Sequence, residues 1–145
     1  MKRISAVRRY DAPVERVFAF VTNTENWSKF WPGYVRLEPG SRWRAAGDEA
    51  RLAIRLLGRE RELALKLTKL EQNRLVAYTS TQVGLPDAYH ERHFEHDGDG
   101  CLYRLLVEYE PRARIAGIFD STLLPRGIRR AFERTFTALE QEFRS

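Results

Sequence analysis

The sequence predicts an α+β fold: a curved antiparallel sheet wrapped around one long closing helix, with two short helices after the first strand. Three observations carry this expectation. A strand-like start runs into Asp11-Ala12-Pro13-Val14-Glu15-Arg16-Val17-Phe18, where Pro13 marks a helix start, and then into Asn26-Trp27-Ser28-Lys29-Phe30-Trp31-Pro32, a second short helix with a proline stop. The middle of the chain is a succession of amphipathic strands. The C-terminal end carries one apolar stripe at helical spacing.

Residues 4–10 read as the first strand, with Ile4, Ala6, Arg8 and Tyr10 on one side and Ser5, Val7 and Arg9 on the other. Asp11 is a candidate cap, and Pro13 suits the first helical position because its missing N–H has no intrahelical partner there. Val14, Val17, Phe18 and Val21 form the apolar stripe of that helix; Trp27, Phe30 and Trp31 form the next, ended by Pro32-Gly33. A hairpin follows, with strands at 50–57 and 62–70. A four-residue loop at 58–61 would set Leu52 opposite Leu67, Ile54 opposite Leu65 and Leu56 opposite Leu63, with Arg51, Arg55, Lys66 and Thr68 on the wet side.

Residues 75–82 read as a further strand, followed by a surface turn around Gly84-Leu85-Pro86. A second hairpin spans 89–96 and 101–110 around Asp97-Gly98-Asp99-Gly100, a strong turn signal. It sets Phe94 opposite Tyr103, Arg92 opposite Leu105 and His90 opposite Val107, while Glu91, His93 and Glu95 share the outer face with Arg104 and Glu108. From 115 onward the pattern is helical, with a break expected at Pro125-Arg126-Gly127. Ile128, Phe132, Phe136, Leu139 and Phe143 then fall on one face.

A chain of 145 residues is expected to be a single domain over 1–145, burying about two-thirds of the surface its unfolded form exposes. Its 43% hydrophobic and 31% charged content is that of a globular protein rather than a disordered one. No apolar run approaches the ~20 residues a membrane span needs, so no stable membrane insertion is expected. The basic N-terminus has no apolar segment behind it, so no signal peptide is expected, and the lone Cys101 fits a reducing cytoplasm. The formal charge of +5 would attract phosphate, acidic lipid or RNA. No zinc-ligand spacing, glycine-rich phosphate loop or RNA-binding aromatic signature accompanies it. The preferred reading is a solvated basic surface, with no DNA partner.

In order and spacing, several segments resemble the START-like superfamily, also called SRPBCC or Bet v 1-like, and within it the polyketide cyclase/dehydrase group. They are Ala12-Pro13-Val14-Glu15-Arg16-Val17-Phe18, Trp27 to Trp31-Pro32, Gly47-Asp48, Val107-Glu108-Tyr109-Glu110-Pro111 and the terminal Leu139-Glu140. The resemblance spans nearly the whole chain and implies a helix-grip fold: seven antiparallel strands around a long C-terminal helix, two short helices closing one end. It also implies a cavity between sheet and helix for apolar molecules such as lipids, sterols, quinones, polyketides or plant hormones. Relatives include aromatase/cyclases, coenzyme-Q-binding proteins, ribosome-associated toxins and Hsp90 co-chaperone-like proteins, so fold alone does not set function. With one cysteine there is no Rieske centre, which sets aside the ring-hydroxylating branch.

Candidate groups follow from strand parity. His90, His93 and His96 with Glu91 and Glu95 suggest a metal, but alternation turns His93 away from the other two, so no metal is expected. Cys101 lacks an evident His-plus-acid set for a nucleophile, and no cofactor is expected. The expected cavity walls are Leu52, Ile54, Leu56, Leu63, Leu65, Leu67, Phe94, Tyr103, Leu105, Val107, Phe119, Leu123, Ile128, Phe132 and Phe136. Trp27, Trp31 and Trp43 are either core or cavity mouth. His90 and Arg92 interrupt a dry face, where a guanidinium is costly unless paired. Two readings stand: an ion pair with an acid such as Asp120, or a ligand-facing group acting with Tyr78 or Tyr103. In a cyclase, His90, Arg92 and Tyr103 are the candidate catalytic groups, orienting a poly-ketone and stabilising enolate charge. The leading expectation is binding of an apolar or amphipathic small molecule. The alternatives are a polyketide aromatase/cyclase-type enzyme and a ribosome- or chaperone-associated interaction protein.

Overall fold

The computed structural model describes residues 1–56, 58–83, 86–110 and 123–144, with Leu123 described by its backbone alone. The chain runs β1 (Lys2–Tyr10), α1 (Val14–Thr22), a 3-10 turn (Thr24–Asn26), α2 (Trp27–Phe30), β2 (Tyr34–Leu37), β3 (Glu49–Leu56), β4 (Arg59–Glu71), β5 (Leu75–Thr81), β6 (Ala88–Asp97), β7 (Gly100–Tyr109) and α3 (Leu123–Glu142). All strand pairs are antiparallel, in the order β1-β7-β6-β5-β4-β3-β2. The expected Phe119, Asp120 and Leu123 side chains, the helical reading of 115–122 and the turn at Gly84-Leu85 lie outside the described residues.

Pro13 sits one position earlier than expected, immediately before α1, where its carbonyl accepts from Arg16 and Val17 N–H at 3.0 and 3.2 Å. Asp11 does not cap that helix; its carboxylate pairs with Arg9 instead. Val14, Val17, Phe18 and Val21 are buried as the spacing predicts. At the end of α2 the chain turns through Gly33 (φ +73°), pressed so closely on β3 that an added Cβ would lie 2.4 Å from Arg55 O. Only glycine fits both that φ and that approach. The turn delivers β2, a four-residue edge strand with a bulge between Tyr34 and Arg36, which the sequence pattern did not reveal.

The second hairpin pairs as expected: Phe94 with Tyr103, Arg92 with Leu105, His90 with Val107. The first does not. Leu52 pairs with Leu63, Ile54 with Arg61 and Leu56 with Arg59, a shift of four residues from the expected register, because pairing continues to Arg59 and excludes the expected four-residue loop, with Gly58 at φ +76°. An even shift preserves side-chain parity, so Leu52, Leu65 and Leu67 still face inward and are buried.

α3 also departs from expectation by running without a break through Pro125 and Gly127. Pro125 is the third residue of the helix, where the N–H has no intrahelical acceptor in any case. Phe136 and Leu139 on α3, with Phe143 just beyond it, bury themselves on the inner sheet face against Tyr10, Tyr103 and α1. Each contributes roughly 1.5–3 kcal/mol. Arg8 ties β1 to the same helix through Glu133 at 2.7 Å and Glu140 at 3.6 Å. A smaller apolar cluster of Ile4, Val107 and Tyr109 meets Leu124, Ile128 and Phe132 at the other end of α3.

Candidate functional site

Inward parity on β5, β6 and β7 brings a polar string into an apolar face. Tyr78 and Ser80 come from β5, His90 and Arg92 from β6, and Tyr103 from β7. Arg92 is only 8% exposed. Its Nε and Nη2 donate to Tyr78 Oη at 3.3 and 3.2 Å, and its Nη1 donates to Tyr103 Oη. The guanidinium also lies 5.1 Å from the Trp31 ring centre, 5.8 Å from Tyr78 and 5.9 Å from Phe30. Among the described residues its partners are therefore two neutral phenols and three aromatic faces, with no carboxylate. Cation–π attraction strengthens as water is removed, which helps such a charge persist inside.

Desolvation opposes the Arg92 charge, but the phenol oxygens of Tyr103 and Tyr78 outweigh it, and the guanidinium stays protonated above its usual range. Burial pushes the Tyr103 phenol up to about 12 despite Arg92. At neutral pH Tyr103 is thus a hydrogen-bond donor, not a base. His90 stacks flat on Tyr78, centroids 4.6 Å apart and planes 6° from parallel, and its Nε2 is 2.8 Å from Ser80 Oγ. Burial, and then the Arg92 charge, bring its imidazole down to about 3, so it is neutral. The string carries one fixed positive charge flanked by neutral donors, an arrangement suited to a carbonyl, enolate or carboxylate oxygen.

Around the string, Leu52, Ile54, Leu65, Leu67, Phe94, Leu105 and Phe136 are buried in the apolar core, and Phe132 is partly buried against it. Trp27 and Trp43 belong to that core, with Trp27 Nε1 donating to Val21 O at 3.1 Å; Trp31 is half-buried. A small cavity of about 10 Å³ lies beside Arg92, Tyr78 and Trp31. It has room for about one water molecule. His93 points to the outer face and pairs with Glu91 at 2.7 Å, while His96 approaches Glu15 at 3.8 Å, so the three histidines do not converge. Burial raises the Cys101 thiol, which leaves it protonated at neutral pH. Ser80 was not singled out in the sequence, and Phe30 was read only as part of the stripe of the second short helix. Ser80 shares its parity with Tyr78, which is the signal that could have found it.

A family profile described as "Polyketide cyclase / dehydrase and lipid transport" matches residues 1–144. The chain belongs to that family. No curated protein sequence matches this polyketide cyclase/dehydrase family member. Its fold is similar to that of several solved structures. Protein CV1439 from Chromobacterium violaceum is 16% identical over 99% of this chain and 98% of its own, with TM-score 0.79. A START superfamily protein from Mycobacterium smegmatis is 13% identical over 97% and 96%, with TM-score 0.78. Ara h 8.0201 is 13% identical over 98% and 97%, with TM-score 0.75. At these identities the likeness is one of fold: this family member has the helix-grip architecture of START and Bet v 1-like proteins. No helix among its described residues is long and apolar enough to cross a membrane.

Proposed function

We propose that this chain, as one cytoplasmic domain, binds an amphipathic small molecule of the lipid, quinone or polyketide-like class. In this reading an oxygen-bearing end hydrogen-bonds to Tyr78, Arg92, Tyr103 and His90. The apolar body lies along Leu52, Ile54, Leu65, Leu67, Phe94, Leu105, Phe132 and Phe136, with Trp27 and Trp31 toward the mouth. The observation that carries it is Arg92: a nearly buried cation whose partners among the described residues are all neutral is a poor structural choice and a good anchor for an electron-rich oxygen. Small-molecule sites run to hundreds of cubic ångströms, far above the cavity beside Arg92, so binding requires the inner side chains to part. The buried, free thiol of Cys101 fits a reducing compartment.

The test is native mass spectrometry of freshly purified protein with solvent extraction of the same sample, on wild type and Arg92→Ala. A discrete apolar mass on wild type that is lost from folded Arg92→Ala supports the reading. The same mass on both proteins rejects the anchor, and a wild type that neither carries nor takes up apolar molecules rejects the binding role. The small size of the cavity beside Arg92 among the described residues favours a second reading, an interaction protein using its basic surface; salt-sensitive co-sedimentation of empty protein with ribosomes supports that one. A cyclase would use the same cluster to hold an enolate. An imidazole at about 3 is a weak base at neutral pH, so His90 would serve there by hydrogen bonding more than by moving protons.

A further inference from the structure

We propose that the groove between α2 and α3 seats the carboxylate of a long-chain acyl amphiphile, with the chain lying on an aromatic floor. The groove has a volume of about 480 Å³, within the range of small-molecule sites. Its floor is Phe30, Trp31 and Pro32, and its rim carries the cations Lys29, Arg130 and Arg134 and one acid, Glu133. Arg130 and Arg134 stand one turn apart on α3, on the side away from the Phe132–Phe136–Leu139 stripe, and both are exposed. The acids nearest to them along α3 are already engaged: Glu133 and Glu140 both pair with Arg8. The groove therefore combines three cations and one carboxylate, that of Glu133 already paired with Arg8, with an apolar floor, which leaves it net positive. A bare inorganic anion would leave the floor uncovered, and a neutral lipid would leave the cations without a counter-charge. An apolar chain ending in an oxyanion satisfies both at once.

The position of Trp31 gives the second, independent argument. It lines this groove on one side and, on the other, the small cavity containing Arg92 and Tyr78. Its ring, half-buried and 5.1 Å from the Arg92 guanidinium, stands between the outer cations and the inner one. The groove is thus the outer face of the wall behind which the Arg92 cluster lies. The inference rests on the amphipathic-ligand reading above and narrows its ligand class to acyl anions.

The experiment titrates sodium oleate, below its micelle concentration, and oleyl alcohol into wild type and into the Arg130→Gln/Arg134→Gln double variant, following tryptophan fluorescence. Both substitutions are at exposed positions, and an unchanged unfolding midpoint confirms the fold. Wild type is expected to prefer oleate by about tenfold, the size of two favourable surface charge contacts. The double variant is expected to lose the preference while keeping its affinity for the alcohol, and added salt to erode the preference in wild type. Equal binding of oleate and alcohol by wild type, or a preference that survives in the variant, overturns the groove while leaving the cavity reading intact. Binding of neither probe overturns the groove as well, and the cavity reading is then decided by the mass-spectrometry test on wild type and Arg92→Ala.

Discussion

At the scale of single residues, the Arg92 cluster is a test of how a protein keeps a charge inside. Tyr103→Phe removes one phenol and keeps the ring that packs on Phe94 and Phe136. The Nη1 donor then loses its acceptor, and stability should fall by about 1.5–3 kcal/mol, the range for a hydrogen bond to a charged group. Urea unfolding of the variant measures this; an unchanged midpoint would mean that the phenol contributes nothing to holding Arg92. Arg92 and His90 were legible in the sequence as breaks in an apolar alternation, and parity alone put Tyr103 beside them. What parity does not carry is range across strands: Tyr78 could be named as a candidate partner, but its stacking on His90 and its acceptance from Arg92 depend on the β5–β6 register, which the turn signal at Gly84-Leu85-Pro86 does not specify.

At the scale of elements, legibility tracked the strength of the turn. Asp97-Gly98-Asp99-Gly100 fixes the second hairpin, whereas Gly58-Arg59-Glu60-Arg61 looks like a charged loop and proves to be mostly strand. β2 escaped notice because four residues with a bulge show no clean alternation. The link that places β2 is Gly33, and it yields a sharp expectation. Gly33→Ala should cost at least about 2 kcal/mol, combining the left-handed φ with a Cβ driven into Arg55 O. Gly40→Ala, at φ +87° but with open space around its Cβ, should lose only the conformational part, about 1 kcal/mol. Equal losses in thermal or urea unfolding would show that the close approach to β3 is not tight.

At the scale of the whole molecule, His90 couples the cluster to acid stability. Its imidazole is held at about 3 in the native protein, against about 6.5 in the unfolded chain. Between those values the unfolded state takes up a proton that the native state refuses, so stability is complete above about pH 6.5 and declines toward pH 3, by at most about 1.4 kcal/mol per pH unit. His90→Phe should flatten this limb, read as the difference in unfolding midpoint between pH 7 and pH 4.5 in each protein. Parallel losses in the two proteins would reject the coupling. The order of the strands has a consequence of a different kind. Every strand from β3 onward pairs with the one made just before it, but β1 pairs with β7, from Lys2↔Tyr109 to Tyr10↔Cys101. On a translating ribosome the strand synthesised first is therefore docked nearly last, and α3, which covers the inner face, emerges later still. Until then the nascent chain holds an uncovered apolar sheet, and it is in that interval that it is most exposed to aggregation and most in need of a chaperone.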